Sequence, residues 1–137
     1  MASITRQVSI SVPSAFAWDA VKDIGALHSR LARGVVIETK LVPGARLVSF
    51  NNGTTVKEPI LGLDDARMRL AYSIVDIPVV HYSASLQVVQ RGNIECTIVS
   101  TTDLLPDEAA NRVAPMVEQS LQAMKRTLEQ DFANSPI

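Results

Sequence analysis

A carboxylate on a strand-like segment is the side chain best placed for chemistry in this sequence. Val56, Glu58 and Ile60 share one face of a predicted strand, so Glu58 stands in an otherwise apolar row. If that face is concave, burial raises the pKa of Glu58 and suits it for general acid–base catalysis. The alternatives are that the row faces outward, or that Glu58 pairs with Arg69 or with a group near Lys57.

Two tyrosines on the next predicted strands are candidate ligand contacts. Tyr72 shares a face with Leu70 and Ile74, and Tyr82 lies on the apolar face of the following strand. In each case the hydroxyl can orient a carbonyl group of a ligand while the ring packs against it. The alternative for both is a core tyrosine whose hydroxyl bonds to the backbone.

Both histidines and one arginine are further candidates. His28 follows a break after the first predicted helix and His81 begins a strand, and either can carry a proton near neutral pH. By alternation with Tyr82, His81 points away from the apolar face unless the strand bulges there. Arg30 can hold a ligand carboxylate or enolate through two hydrogen bonds, or it can be solvated or paired with Asp23.

Several kinds of site are missing from the sequence. The two histidines lie far apart and form no zinc-binding spacing with the single cysteine, Cys96. There is no phosphate-binding glycine loop and no nucleophile elbow, so we expect neither a metal nor a cofactor. Cys96 lies on a buried strand face and is expected to act as a small hydrophobic side chain.

Composition predicts a globular protein with one domain over residues 1–137. Hydrophobic residues make up 47%, and 13 basic against 14 acidic side chains give a net charge of −1. Because the basic residues are scattered, we expect no nucleic-acid partner. No apolar run is long enough to insert into a membrane, and the lone cysteine agrees with a reducing cytoplasm. We expect a cytoplasmic monomer, or a homodimer paired through an edge strand.

Seven segments alternate in the manner of β-strands. They lie near residues 7–12, 34–40, 46–51, 54–63, 67–75, 80–90 and 94–103. Asn52-Gly53 and Gly92-Asn93 are typical of hairpin turns, and Pro43-Gly44 of a type II turn. Short connections of this kind favour an antiparallel sheet. Two short helices are predicted after the first strand, at 14–22 and 26–31, with Trp18 as a packing anchor.

A long amphipathic helix is predicted from Asp107 to Ala133. Its apolar residues recur every three or four positions, namely at Val113, Val117, Leu121, Met124, Leu128 and Phe132. Pro115 either kinks this helix or marks its true start after a shorter turn. Met116, Leu121 and Met124 are candidates for an adaptable apolar lining.

These elements predict an α+β fold in which a curved seven-stranded antiparallel sheet wraps around the long C-terminal helix. Aromatic residues make up only 4%, and small side chains such as Ala84 and Ser100 fall on predicted inward faces. One helix stripe then leaves the concave face incompletely filled. We therefore expect a cavity between the sheet and the helix.

The order of elements resembles the helix-grip fold of the START/Bet v 1-like (SRPBCC) superfamily, and in particular its polyketide cyclase/dehydrase branch. The resemblance covers nearly the whole chain and is carried by VPSAFAWDAVKDIGALHSRL (12–31), FNNGTTVKEPILGLDDARMRLAYSIV (50–75), HYSASLQV (81–88) and TDLLPDE (102–108). It implies a ligand cavity with His28 at one rim of the entrance. Members of the superfamily include cyclases as well as carriers of lipids and hormones.

Three functions follow as hypotheses. The first is binding of a hydrophobic small molecule, such as a lipid, polyketide or aromatic metabolite, in the cavity. The second is a cofactor-independent cyclase or dehydratase in which Glu58 or a histidine moves a proton and Tyr72 or Arg30 steadies an enolate-like oxygen. The third is a protein-interaction module, which an exposed apolar patch without a cavity would favour.

Overall fold

The structure is a computed structural model that describes residues 1–135. It confirms the predicted α+β architecture of seven strands and a long final helix. The strands are β1 (Ala2–Ile10), β2 (Val36–Val42), β3 (Ala45–Phe50), β4 (Thr55–Asp64), β5 (Arg69–Ser73), β6 (His81–Gln90) and β7 (Cys96–Leu105). The helices are α1 (Ser14–Lys22) and α2 (Ala110–Ala133).

All seven strands form one antiparallel sheet in the order β1-β7-β6-β5-β4-β3-β2. The predicted hairpin turns are present, and Gly44, Gly53 and Gly92 each adopt a positive φ within them. Register shifts near Ile60 in β4 and Val36 in β2 interrupt the ladder. Because such bulges bend a strand and increase its twist, they help the sheet to curve around α2.

Several boundaries differ from the prediction, three of them for a clear structural reason. β1 begins at Ala2 because the segment before Gln7 continues the ladder with β7 and buries Ile4. β5 begins only at Arg69, since Met68 takes a φ of 51° that ends regular strand geometry. The second short helix is a 3₁₀ turn (Ile24–Ala26) followed by one π-helical turn (Leu27–Leu31).

The long helix lies in the concave face of the sheet. A 3₁₀ turn (Asp107–Ala109) leads into α2, and Pro115 lies inside the helix, so the alternative in which the helix starts at Pro115 is wrong. Leu121, Met124 and Leu128 are buried, as the apolar stripe predicts. Phe132 ends the stripe and meets the ring of Phe16 edge-on, with the ring centroids 5.0 Å apart.

The first helix is fixed to the same core. Trp18 is buried and its Nε1–H donates to Asp65 at 2.9 Å, so the prediction of a packing anchor fits its surroundings. Cys96 is also buried, and burial raises the pKa of its thiol to about 11. Among the helices described in residues 1–135, none combines the length and apolarity needed to cross a membrane.

Candidate functional site

A cavity of about 570 Å³ lies between the concave face of the sheet and α2. Val113, Val117 and other stripe residues form its helix wall, and the inward faces of β3 to β7 form the opposite wall. The loop between β5 and β6 adds Ile77 and Val79 to the lining. The lining is therefore mainly apolar, as a site for a hydrophobic molecule requires.

An ion pair forms the most polar part of this cavity. Arg46 on β3 and Glu58 on β4 are directly opposite each other in the ladder, and both side chains point into the cavity. Arg46 Nε donates to Glu58 Oε1 at 2.8 Å, and the two residues are only 2% and 3% exposed. Arg46 Nη1 also donates to the backbone oxygen of Ile24 at 3.3 Å. The guanidinium is thus held in place from two sides.

Burial and the charge of Arg46 shift the pKa of Glu58 in opposite directions. Loss of hydration raises the pKa of the Glu58 carboxyl, and the adjacent Arg46 guanidinium opposes that rise. The pair carries no net charge when both groups are ionised, which is the form that a low-dielectric site tolerates best. Glu58 can accordingly accept a hydrogen bond as a carboxylate, or exchange a proton at a pH above the usual range of a glutamate.

Both predicted tyrosines line the cavity. The Arg46 guanidinium carbon lies 5.4 Å from the centroid of the Tyr72 ring, within the range of a cation–π contact. Burial raises the pKa of Tyr72 well above its ordinary value and that of Tyr82 to about 12. Both hydroxyls are therefore protonated at neutral pH and available as hydrogen-bond donors.

Both histidines lie outside the cavity lining, so the structure does not bring them together with Glu58 and the two tyrosines. His28 packs against the edge strand β2, where its backbone N–H and Nδ1 contact the Thr39 hydroxyl at 3.3 and 3.1 Å. His81 is exposed and its Nε2 lies 3.0 Å from Ser83 Oγ. His81 and Tyr82 are neighbours in β6, and successive side chains of a strand point to opposite faces, so His81 points outward while Tyr82 points into the cavity.

Arg30 also lies outside the cavity lining. Its guanidinium donates to Asp19 at 2.6 Å and to Asp23 at 2.9 Å. Asp23 is the ion-pair partner that the sequence analysis gave as the alternative to ligand binding. The π-helical turn places Arg30 against Asp19 of α1 and outside the cavity lining, so the structure does not bring it together with the other candidates, and its role as a ligand contact stays a prediction.

Three apolar candidates on α2 do line the cavity. Leu121 and Met124 are buried on its inner wall, whereas Met116 is exposed near the start of the helix. Their role as ligand contacts remains a prediction. Within residues 1–135, no cluster of three His, Cys, Asp or Glu side chains could hold a metal ion.

Arg46 is the main cavity residue that the sequence interpretation missed. The alternation Arg46, Val48, Phe50 was a usable signal, because it places the arginine on the same strand face as two apolar side chains. The loop residues Ile77 and Val79 were also missed, since an irregular segment carries no periodicity to indicate which side chains point inward.

The sequence matches the family model described as "Polyketide cyclase / dehydrase and lipid transport" over residues 1–129. The chain belongs to this family. Among curated proteins none matches it. The family assignment confirms the resemblance stated for the helix-grip superfamily.

Solved structures share the fold at low sequence identity. A protein from Thermobifida fusca is 26% identical with a TM-score of 0.76, covering 96% of this chain and 93% of its own. The Zhui aromatase/cyclase from a Streptomyces species is 17% identical with a TM-score of 0.78, covering 98% and 99%. Norcoclaurine synthase from Thalictrum flavum, in complex with dopamine and hydroxybenzaldehyde, is 19% identical with a TM-score of 0.76, covering 99% and 88%.

Family membership and the cavity together support a role in ligand binding or cyclase-type chemistry. At such low sequence identities the solved structures establish only a shared fold. The choice between these roles therefore depends on the residues of this chain.

Proposed function

We propose that the protein binds a hydrophobic small molecule, of the lipid, polyketide or aromatic class, between the sheet and α2. The observation that carries this proposal is the apolar cavity of about 570 Å³. Small-molecule sites in proteins span about 300–1,000 Å³ and combine apolar walls with a few convergent polar groups. The presence of an apolar cavity also weighs against the protein-interaction hypothesis, which predicts an exposed apolar patch and no cavity.

The polar end of the cavity defines the ligand further. Glu58 offers a hydrogen-bond acceptor, while the Tyr72 and Tyr82 hydroxyls offer donors. Arg46 is already neutralised by Glu58, so the buried polar end of the cavity has no unpaired charge for a ligand carboxylate; Arg112, which also lines the cavity, is exposed at the start of α2. The best-matched molecule is therefore an uncharged, mainly apolar compound with hydroxyl or carbonyl oxygens at one end.

Native mass spectrometry of freshly purified protein, followed by extraction under denaturing conditions, tests the proposal directly. A discrete co-purifying mass supports an occupied apolar site, and its identity names the ligand class. The fluorescent probe 1-anilinonaphthalene-8-sulfonate provides an independent assay. Substitution Val117→Trp should fill part of the cavity and weaken probe binding, whereas Val80→Trp, at a residue 82% exposed outside the lining, should not.

If Val117→Trp and Val80→Trp bind the probe equally, the cavity is not the binding site. The folded state of each variant is checked by its circular dichroism and unfolding midpoint, so that loss of binding is not confused with loss of structure.

A second candidate function, a cofactor-independent cyclase or dehydratase, is favoured by the position of Glu58 beside Tyr72. In such a reaction Glu58 removes a proton from the carbon next to a ligand carbonyl, and a Tyr72 hydroxyl or the Arg46 guanidinium stabilises the enolate oxygen. Glu58→Gln keeps the shape of the side chain but cannot take up the proton. We expect it to retain affinity for the extracted compound while abolishing its conversion; retained conversion would exclude Glu58 as the base.

A further inference from the structure

The two edges of the sheet differ in how their backbone is covered. At the C-terminal end of β1, two side chains of α2 bind backbone groups of the strand and of the residue that follows it. Lys125 Nζ donates to the backbone oxygen of Ser9 at 2.8 Å, and a Glu129 carboxylate oxygen accepts from the N–H of Ser11 at 2.9 Å. The helix therefore covers the C-terminal end of this edge, where another strand would otherwise pair.

The hairpin register shows which backbone groups of β2 face the other edge. Val42 and Ala45 flank the two-residue turn between β2 and β3 and are partners in the ladder. Residues that flank a two-residue hairpin loop form a hydrogen-bonded pair, and such pairs alternate along the strand. Lys40 is consequently bonded to β3, whereas Thr39 and Leu41 direct their N–H and C=O groups to the outer edge.

Among the described residues, the backbone of that outer edge has no partner, although the turns that precede β2 contact side chains of the strand: Gly25 lies against Leu41, and His28 against Thr39. Within residues 1–135, no hydrogen bond from a loop or side chain reaches the backbone of Thr39 or Leu41; His28 contacts only the Thr39 hydroxyl. The strand also exposes two large apolar side chains, Ile37 and Leu41, at 59% and 56%. An open edge with exposed apolar side chains favours pairing with a further strand.

The charges of β2 are complementary to those of a second copy of the same strand. Glu38 and Lys40 are placed symmetrically about Thr39. In an antiparallel pair centred on Thr39, each Glu38 lies opposite Lys40 of the other copy, at the closely spaced positions where side chains meet. In the described part of the chain, neither residue has an ion-pair partner.

We propose that the protein forms a two-fold symmetric homodimer in which β2 of one copy pairs antiparallel with β2 of a second copy, centred on Thr39. Among the centres at Glu38, Thr39 and Lys40, the charges favour Thr39. A pair centred on Lys40 would place two lysines opposite each other, and a pair centred on Glu38 would place two glutamates opposite each other, which is unfavourable in either case. The cavity lies within each copy, so dimerisation does not depend on the proposed ligand-binding function.

Sedimentation velocity over a range of protein concentrations tests the pairing. Lys40→Glu and Glu38→Lys each replace two attractive cross-strand contacts by two repulsive ones, so each should raise the dimer dissociation constant about tenfold or more. The double variant Glu38→Lys/Lys40→Glu restores complementarity in the same register and should return the constant to near the wild-type value. Lys57→Glu, at an exposed lysine of β4, is the matched control and should leave it unchanged.

Amide hydrogen exchange provides a second measurement that needs no variant. Thr39 and Leu41 N–H groups should gain protection as protein concentration rises, while the exposed loop around Asn93 should not. A monomer at every concentration, or a dimer that tolerates both single charge reversals, would overturn the assignment of β2 as the interface.

Discussion

Arg46 and Arg30 each hold carboxylates, but one lies in the interior and the other at the surface. Arg46 and Glu58 are almost completely buried in the cavity wall. Arg30 bridges Asp19 and Asp23, and all three side chains remain more than a third exposed. Similar donor–acceptor distances therefore occur in two very different dielectric surroundings.

The difference in burial determines what each pair contributes. Water screens the Arg30 contacts, so their net contribution to stability is small. In the cavity, the cost of removing both ions from water offsets much of their attraction, so the Arg46–Glu58 pair adds little net stability over an apolar pair. Each buried charge nevertheless depends strongly on its partner. Stability alone therefore does not account for this pair, and the proposed ligand recognition would give it a role.

The largest expected effect follows from removing one member of the buried pair. Arg46→Met leaves the Glu58 carboxylate without its partner and should lower the free energy of unfolding by about 3–5 kcal/mol at neutral pH. Urea denaturation followed by circular dichroism measures the change.

A double variant separates the cost of an unpaired charge from the loss of packing. Arg46→Met/Glu58→Leu removes both charges, so it should recover most of the stability lost in Arg46→Met. If the double variant is less stable than Arg46→Met, the two side chains stabilise the fold mainly through packing.

The pH dependence of stability is a smaller effect and has opposite signs in the two regions. Burial raises the pKa of Glu58 in the folded protein above its value in the unfolded chain, near 4.5. The contribution of Glu58 to stability is therefore fully present below pH 4.5 and is lost as the pH rises through the pKa of the folded state. The Arg30 guanidinium lowers the pKa of Asp19, whose contribution is present above its unfolded value, near 3.8, and is lost as pH falls.

Comparison with a variant that cannot titrate isolates the Glu58 contribution. Relative to Glu58→Gln, the wild-type protein should lose about 1.4 kcal/mol of unfolding free energy between low and neutral pH for each unit by which the pKa is raised. Urea unfolding of both proteins from pH 4 to pH 8 gives the difference. If the stability of the wild-type protein instead increases relative to Glu58→Gln as the pH rises, the charge of Arg46 lowers the pKa of Glu58 by more than burial raises it.

Much of this fold could be predicted from local patterns. Strand alternation, the turn glycines and the α2 stripe each act over a few residues, so the sequence reports them directly. The boundaries of β1 and β5 could not be predicted as well, because pairing with β7 and the positive φ of Met68 override local preference.

The Arg46–Glu58 pair depends on the length of the loop between β3 and β4, which differs by one residue from a two-residue hairpin turn. A two-residue Asn52-Gly53 turn would place Glu58 opposite Leu47. In the structure the Phe50 N–H donates to the Thr54 oxygen, so the loop has three residues and Glu58 lies opposite Arg46. A shift of one residue in register changes which side chains meet across a hairpin, and the Asn-Gly signal does not specify it.

The positions of His28 and Arg30 outside the cavity lining could not be predicted for a different physical reason. Both lie on a single π-helical turn, which is too short for a periodic pattern to show which side faces the core. The direction of each side chain is set by contacts with distant elements, namely Thr39 on β2 and Asp19 on α1. Tertiary packing of this kind cannot be predicted from the residues of the turn alone.

The smallest expected effect completes the comparison of the two arginines. Arg30→Met makes the same substitution as Arg46→Met but at the exposed pair, so it should cost only about 0.2–1 kcal/mol per lost contact. Because salt screens exposed charges, that cost should shrink at high ionic strength, whereas the cost of Arg46→Met should change little. Urea midpoints at low and high salt measure both. Equal salt dependence of the two variants would mean that water reaches the Arg46–Glu58 pair as freely as it reaches Arg30.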